Sequence, residues 1–145
     1  MINVHTGNIL LTETGFSINS LLTPQQLELR IPNLIISCYQ TNVEYSHYYI
    51  WCDLEPNEYI YAHICFARDR LLSVALFPQH TTNNSADRNI SNMELDRARD
   101  LLYRWCQRML PQNRKEFSWG SICINAGADP IYAPPNIQIH YNSSN

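Results

Sequence analysis

Four closely spaced segments between residues 34 and 77 constrain this chain more than any other feature. Most of them alternate apolar and polar side chains, and only short polar connections separate them. A side-chain period of two is typical of β-strands, and connections of a few residues join strands that run antiparallel. The sequence therefore predicts four consecutive strands in a meander, over residues 34–40, 47–54, 58–67 and 71–77.

The alternation also assigns side chains to the two faces of the predicted sheet. In the second strand one side carries Tyr48, Ile50, Cys52 and Leu54, and the other carries Tyr49, Trp51 and Asp53. In the third strand the inward set is Ile60, Ala62, Ile64 and Phe66, and the outward set is Tyr59, Tyr61, His63 and Cys65. We expect the aliphatic side chains to face the core and the ring-bearing side chains to face outward.

The strongest helical signal follows the polar segment 78–91. Ser91 and Glu94 have the spacing of a capping box, and Pro111 ends the pattern. A shorter helix of one or two turns is predicted after Thr23 and Pro24, an N-cap followed by proline. The apolar stripe of the long helix consists of residues at helical spacing: Leu95, Ala98, Leu102, Trp105, Cys106 and Met109.

The remaining segments complete the predicted fold. Residues 8–13 and 15–18 predict short extended pieces, and residues 116–125 and 136–142 predict two further strands. We therefore predict an α+β fold with one domain over residues 1–145, an antiparallel sheet of about six strands and one long helix packed on a face. The face that carries Ile60 and Ile64 is the expected cover for the helix stripe.

Composition excludes several classes of protein. Apolar residues make up 45% of the 145 residues and charged residues only 16%, so the chain has enough apolar surface to fold. A membrane span needs a run of about 18 apolar residues, and the sequence contains none. The first residues also lack the features of an export signal. We therefore expect a cytoplasmic protein without a membrane partner. A net charge of −3 argues against a nucleic-acid partner.

The sequence offers little material for catalysis. The sequence contains none of the short motifs that are typical of known catalytic or phosphate-binding sites. Its four glycines do not cluster, so they do not form a glycine-rich loop that could bind a phosphate. The five cysteines lack a C-x-x-C pair, so we expect reduced, buried thiols. His47 and His63 lie on strands that pair if the meander is correct, and His63 and Cys65 are about 7 Å apart on one face. We expect no enzyme, no cofactor and no metal site.

Aromatic and acidic residues are concentrated in residues 39–61. Seven of the sixteen aromatic residues lie there, interleaved with carboxylates, and residues 1–58 carry a net charge of −5 against +2 for the rest. Exposed Tyr and Trp are enriched in protein interfaces, and carboxylates among them would attract a basic partner. Cross-strand packing of the aromatic rings under the helix is the alternative interpretation.

The C-terminal third resembles a group of small bacterial immunity proteins from polymorphic toxin and contact-dependent growth inhibition systems. The resemblance lies in the helix end LYRW at residues 102–105, the strand FSWGSI at 117–122, the Asp129-Pro130 turn and the closing strand IQIHY at 137–141. The early segment TGNILL at residues 6–11 is similar to the N-termini of that group. The resemblance implies a non-catalytic inhibitor that binds a cognate toxin and blocks its active site or an exosite. We interpret Trp119 and Gly120 as structural residues.

These observations lead to one hypothesis about function. The chain is predicted to neutralise a cationic, nuclease-type toxin domain by binding it. The predicted contact residues combine carboxylates for charge and aromatic rings for buried area. They are Glu44, Tyr45, Tyr49, Trp51, Asp53, Glu55, Glu58, Tyr59 and Tyr61.

Two alternatives belong to other classes of function. A small-ligand-binding module would use an apolar cleft between sheet and helix, with Trp51 and Tyr61 in its lining. A cysteine-dependent enzyme would use Cys65 as the nucleophile and His63 as its base.

Overall fold

The fold was analysed in a computed structural model, which describes residues 2–55, 58–78, 92–110, 115–125, 127 and 135–143. Of residues 53–55, 58–60 and 92–95 only the backbone is described. In this part of the chain the architecture is α+β, as predicted, with two antiparallel sheets and two α-helices. The assignment of residues 1–145 to a single domain stays a prediction.

The N-terminal segment forms a small antiparallel sheet of three strands in the order β1-β2-β3. Its side chains Ile9 and Ile18 are fully buried and lie opposite each other in the β2–β3 ladder. The extended pieces predicted over residues 8–13 and 15–18 therefore exist, although they are shorter. The strands are β1 (Ile2–Asn3), β2 (Asn8–Leu10) and β3 (Ser17–Ile18).

Helix α1 (Pro24–Arg30) begins where the sequence predicts it. The Thr23 hydroxyl accepts a hydrogen bond from the Gln26 backbone N–H, and the Gln26 side chain accepts one from the Thr23 N–H. This capping box satisfies two helix-end donors that would otherwise lack partners. The helix buries Leu27 and ends before a 3₁₀ turn at Pro32–Leu34, because proline does not continue an α-helix.

The main sheet has seven antiparallel strands in the order β4-β5-β6-β7-β10-β9-β8. The four predicted meander strands are consecutive neighbours in it, as expected. Strand β10 then pairs with both β7 and β9. The strands are β4 (Ile35–Thr41), β5 (Tyr45–Glu55), β6 (Glu58–Ala67), β7 (Arg70–Pro78), β8 (Glu116–Phe117), β9 (Gly120–Asn125) and β10 (Asn136–Tyr141).

The prediction of about six strands and one long helix gave too few elements: the described residues form seven strands in the main sheet, three in the small sheet, and two α-helices. The segment 116–125 is a tight hairpin instead of one strand: Phe117 pairs with Gly120 across the two residues Ser118 and Trp119. Apolar and polar residues follow one another through this turn, so the sequence pattern does not reveal it. The short helix α1 was predicted locally but not counted in the architecture, and the short N-terminal strands were not expected to form a separate three-stranded sheet.

One face of the main sheet, called the inner face here, holds the core. Its aliphatic side chains share a buried cluster with the N-terminal sheet, α1 and the long helix α2 (Asn92–Met109). Ile64 belongs to the same cluster as Leu102 and Trp105 of α2, as the predicted helix stripe requires. Ile60, and the capping box of Ser91 and Glu94, lie outside the described side chains. No helix in the described ranges is both long and apolar enough to cross a membrane.

Candidate functional site

The strand register determines which side chains reach the opposite face of the main sheet, called the outer face here. Tyr49 of β5 lies opposite His63 of β6, and Trp51 lies opposite Tyr61. The intervening residues Ile50, Ala62 and Ile64 are fully buried on the inner face. Because side chains alternate along a strand, the ring-bearing residues must point away from the core. The predicted assignment of the two faces is therefore confirmed for the described side chains of β5 and β6.

Six rings form a continuous row across the outer face, which we call the aromatic stripe: Tyr39, His47, Tyr49, Tyr61, His63 and Phe77. The ring centroids of Tyr39 and His47 lie 4.6 Å apart, and those of Tyr49 and His63 lie 4.7 Å apart. Tyr61 and Phe77 follow at 4.8 Å with their planes 7° apart. Since the rings stack on one another, the stripe presents ring edges and polar atoms to a partner more than open ring faces.

Two histidines are hydrogen-bonded in the middle of the stripe. Nδ1 of His47 and Nε2 of His63 lie 3.0 Å apart, and Nε2 of His47 lies 2.7 Å from the Thr41 hydroxyl. In such a bond one ring nitrogen donates and the other accepts, so both rings cannot be cationic while it persists. Burial, together with the charge of His47, lowers the pKa of His63 below its usual value.

Burial disfavours ionisation of two tyrosines of the stripe, Tyr49 and Tyr61. Burial and a hydrogen bond with Tyr39 raise the pKa of Tyr49 to about 12. Burial also raises the pKa of Tyr61. The hydroxyls of Tyr49 and Tyr61 therefore offer hydrogen bonds to a partner without adding negative charge.

Two of the predicted contact residues flank the stripe and are more open. Trp51 is 39% exposed and Tyr45 is 37% exposed, whereas Tyr49 and Tyr61 are half-buried. Trp51 and Tyr45 are six residues apart on β5, a separation of roughly 20 Å along the strand. The structure thus brings Tyr49, Trp51 and Tyr61 together and places Tyr45 at the other end of the same face.

The predicted acidic residues do not form one patch. The Glu44 carboxylate pairs with the Arg68 guanidinium at 3.0 Å, so this charge already has a partner within the chain. Asp53 follows nine residues later at the far end of β5, roughly 30 Å away. The backbone register sets Asp53 opposite Tyr59 and Glu55 opposite Glu58. The side chains of these four residues lie outside the described part of the structure.

The geometry disfavours a cysteine nucleophile on this face. Burial raises the pKa of the Cys65 thiol, whereas a reactive cysteine needs a lowered one. Nε2 of His63 is also engaged by His47. Within the described ranges, no three His, Cys, Asp or Glu side chains come close enough together to hold a metal ion.

The structure does not place Trp51 and Tyr61 where the ligand-binding alternative needs them. Trp51 and Tyr61 lie on the outer face, whereas Leu102 and Trp105 of α2 belong to the buried cluster of the inner face. Because the sheet separates these two sets of side chains, Trp51 and Tyr61 do not line a space between sheet and helix.

The motif residues of the C-terminal third tie the N-terminal segment to the main sheet. The Trp119 indole N–H donates to the Val4 carbonyl at 2.9 Å, and the Tyr141 hydroxyl donates to the Gly7 carbonyl at 2.8 Å. A Cβ on Gly120 would lie 1.8 Å from the His140 carbonyl oxygen, so only glycine permits this close strand pairing. The structural interpretation of Trp119 and Gly120 is therefore confirmed, and the Asp129-Pro130 turn lies outside the described residues.

Sequence reasoning missed three participants in the outer face. Thr41 contacts His47 within the β4–β5 hairpin, and Arg68 and Phe77 contact the more distant residues Glu44 and Tyr61. The signal that could have found them is the strand register, since the β5–β6–β7 ladder places Phe77 opposite Tyr61.

The chain was compared with models of protein families, with curated proteins and with solved structures, and none of them matches it. The function is therefore argued from the geometry of the outer face.

Proposed function

We propose that this chain is an immunity protein that neutralises a cognate, cationic toxin domain of the nuclease type by binding it. The observation that carries the proposal is the outer face of β5 and β6, where Trp51 and Tyr45 stand exposed beside a preformed row of stacked rings. Cross-strand stacking accounts for the half-buried rings of the stripe, whereas exposed Trp and Tyr side chains such as Trp51 and Tyr45 are enriched in binding surfaces.

The arrangement of the rings favours a protein as the partner. Stacking of Tyr49 on His63, and of Tyr61 on Phe77, occupies ring faces that a nucleobase or a sugar would need. The exposed edges and hydroxyls instead suit backbone amides and polar side chains of a protein surface. Prior stacking also fixes the rings in place, so little side-chain entropy is lost on binding.

The charge pattern favours a cationic partner. Glu44 is already paired with Arg68, so the attraction is assigned mainly to Asp53, Glu55 and Glu58 at the other end of the hairpin. These three residues place three carboxylates within six positions of the sequence. A lysine or arginine of a partner would be attracted to them.

The proposed mechanism is steric. The immunity protein covers the active site of the toxin, or an exosite that its substrate needs, and performs no chemistry. Carboxylates near the hairpin end speed the approach of the toxin, and the aromatic residues supply the buried contact area.

A charge reversal tests this proposal. The double substitution Asp53→Lys with Glu55→Lys is expected to weaken binding to the cognate toxin domain by more than about tenfold. Its affinity is also expected to depend less on salt concentration, because fewer opposite charges meet across the interface. Calorimetry at two salt concentrations measures both effects.

The matched control reverses two exposed carboxylates elsewhere, Glu13→Lys with Asp69→Lys, and changes the net charge equally. This variant is expected to keep most of the affinity. The proposal fails if the Asp53/Glu55 variant binds the toxin and protects cells as well as the natural chain does.

A further inference from the structure

The two outermost strands of the described main sheet differ in how they are protected. Strand β8 has only two residues and carries Glu116 next to Lys115. Strand β4 (Ile35–Thr41) has seven residues and contains neither a charged residue nor a proline. Short length, charges and proline are the usual devices that prevent an edge strand from pairing with another chain. Strand β8 uses two of these devices, and β4 uses none of them.

The side chains of β4 are open to solvent on both faces. Every residue from Ile36 to Thr41 is exposed, and the large side chains Ile36 and Tyr39 are 49% and 45% exposed. An uncharged strand with β-favouring residues and two open faces is typical of a strand that pairs with a partner.

The hydrogen-bond pattern identifies the backbone groups that face the open edge. The Glu44 carbonyl accepts a hydrogen bond from the Arg68 N–H, which makes Tyr45 and Ala67 a pair that is not itself hydrogen-bonded. Backbone groups alternate along each strand, so those of Tyr45 point towards Thr41 of β4. By the same alternation, the N–H and C=O groups of Cys38 and Gln40 point away from β5.

We propose that β4 pairs antiparallel with β4 of a second copy of this chain, around a two-fold axis at Tyr39. This register joins Cys38 of each copy to Gln40 of the other through the backbone groups that face the open edge. It leaves out Ile36, where a β-bulge disturbs the ladder.

Two observations favour a second copy over a foreign strand. The aromatic stripe ends at Tyr39, which stacks on His47 and Tyr49 and is still 45% exposed. The two-fold axis places Tyr39 opposite Tyr39 of the other copy, so the stripe continues across the interface as a cross-strand aromatic pair. In addition, β4 has no charge to offer a cationic toxin strand but meets no repulsion from itself. The proposal does not depend on the proposed toxin binding.

Sedimentation velocity of the full chain at micromolar concentrations tests this dimer. The natural chain is expected to sediment with twice its mass of 16.9 kDa. Cys38→Lys places a charge at the open edge and is expected to raise the dimer dissociation constant at least about tenfold. Gln40→Pro removes one outward-facing N–H donor and is expected to have the same direction of effect.

Leu21→Lys is the matched control, since Leu21 is an exposed apolar residue outside the main sheet. This variant is expected to remain a dimer. A bismaleimide cross-linker adds a test of register, because the two Cys38 thiols would be diagonal neighbours about 7–8 Å apart. Cross-linked dimer is expected in the natural chain and not in Cys38→Ser. A natural chain that stays monomeric, or a dimer that Cys38→Lys does not weaken, would overturn the proposal.

Discussion

The inner and outer faces of the main sheet are built from different side chains and differ in burial. On the inner face Ile50, Ile64 and Phe66 are fully buried in a cluster that also includes α2 and the N-terminal sheet. On the outer face Trp51 and Tyr45 remain exposed beside the aromatic stripe. Burial of apolar area supplies most of the folding free energy. The comparison shows that the inner face holds the buried core, while exposed rings remain on the outer face, which is the surface that we propose for binding.

Two phenylalanines on opposite faces test this division directly. Phe66→Ala empties a fully buried site next to Tyr48 and is expected to lower the free energy of unfolding by about 3–5 kcal/mol. Phe77→Ala removes a half-buried ring stacked on Tyr61 and is expected to cost about 1 kcal/mol. Urea unfolding measures both values. Equal losses for the two variants would show that the outer face also holds the fold.

The reverse contrast is expected for binding. Trp51→Ala removes an exposed anchor and is expected to weaken toxin binding about 30-fold, equivalent to ~2 kcal/mol, while the free energy of unfolding changes by less than about 0.5 kcal/mol. Tyr103→Ala on α2 is the control, because Tyr103 is also exposed but lies outside the sheet. Calorimetry and urea unfolding separate the two quantities. A Trp51 variant that binds as tightly as the natural chain would remove this residue from the interface.

The smallest effect is expected from pH. The pKa of His63 is lowered in the folded chain, chiefly by burial, whereas the pKa of a histidine in an unfolded chain is about 6.5. Below that pH the unfolded chain binds a proton that the folded chain does not, so stability falls as the solution is acidified. His63→Phe keeps a ring beside Tyr49 and is expected to lose less stability than the natural chain between pH 7 and pH 5.

Thermal unfolding at several pH values measures this difference. The control is His140→Phe, at an exposed histidine on the same face, and this variant is expected to follow the natural chain. Identical acid sensitivity in the natural chain and in His63→Phe would contradict the assigned role of His63.

The sequence predicted which side chains lie on each face of the main sheet better than it predicted the number and limits of the strands. Alternation places Ile64 inside and Tyr61 outside because a strand has only two faces, and this local rule needs no knowledge of the rest of the chain. The β8–β9 hairpin escaped prediction because its turn at Ser118 and Trp119 is defined by contacts with distant residues. Among them is the hydrogen bond from the Asn142 N–H to the Trp119 carbonyl.

The sequence predicted which types of residue form the candidate site, but it did not predict which of those residues contact one another. The density of Tyr and Trp in residues 39–61 indicated an aromatic surface, and the register then produced the stripe. The ion pair of Glu44 with Arg68 joins residues that are 24 positions apart. The composition therefore could not show that Glu44 has a partner within the chain. The contact of His47 with Thr41 likewise depends on how the β4–β5 hairpin closes.

Hydroxyl-radical footprinting of the chain, alone and in complex with the proposed toxin domain, tests most directly whether the outer face is the binding surface. The account predicts that oxidation of Tyr45, Trp51 and Tyr61 slows in the complex, while the exposed residues Leu21 and Leu29 react at unchanged rates. The account would be contradicted if the outer-face aromatic residues react as fast in the complex as in the free chain while another surface becomes protected.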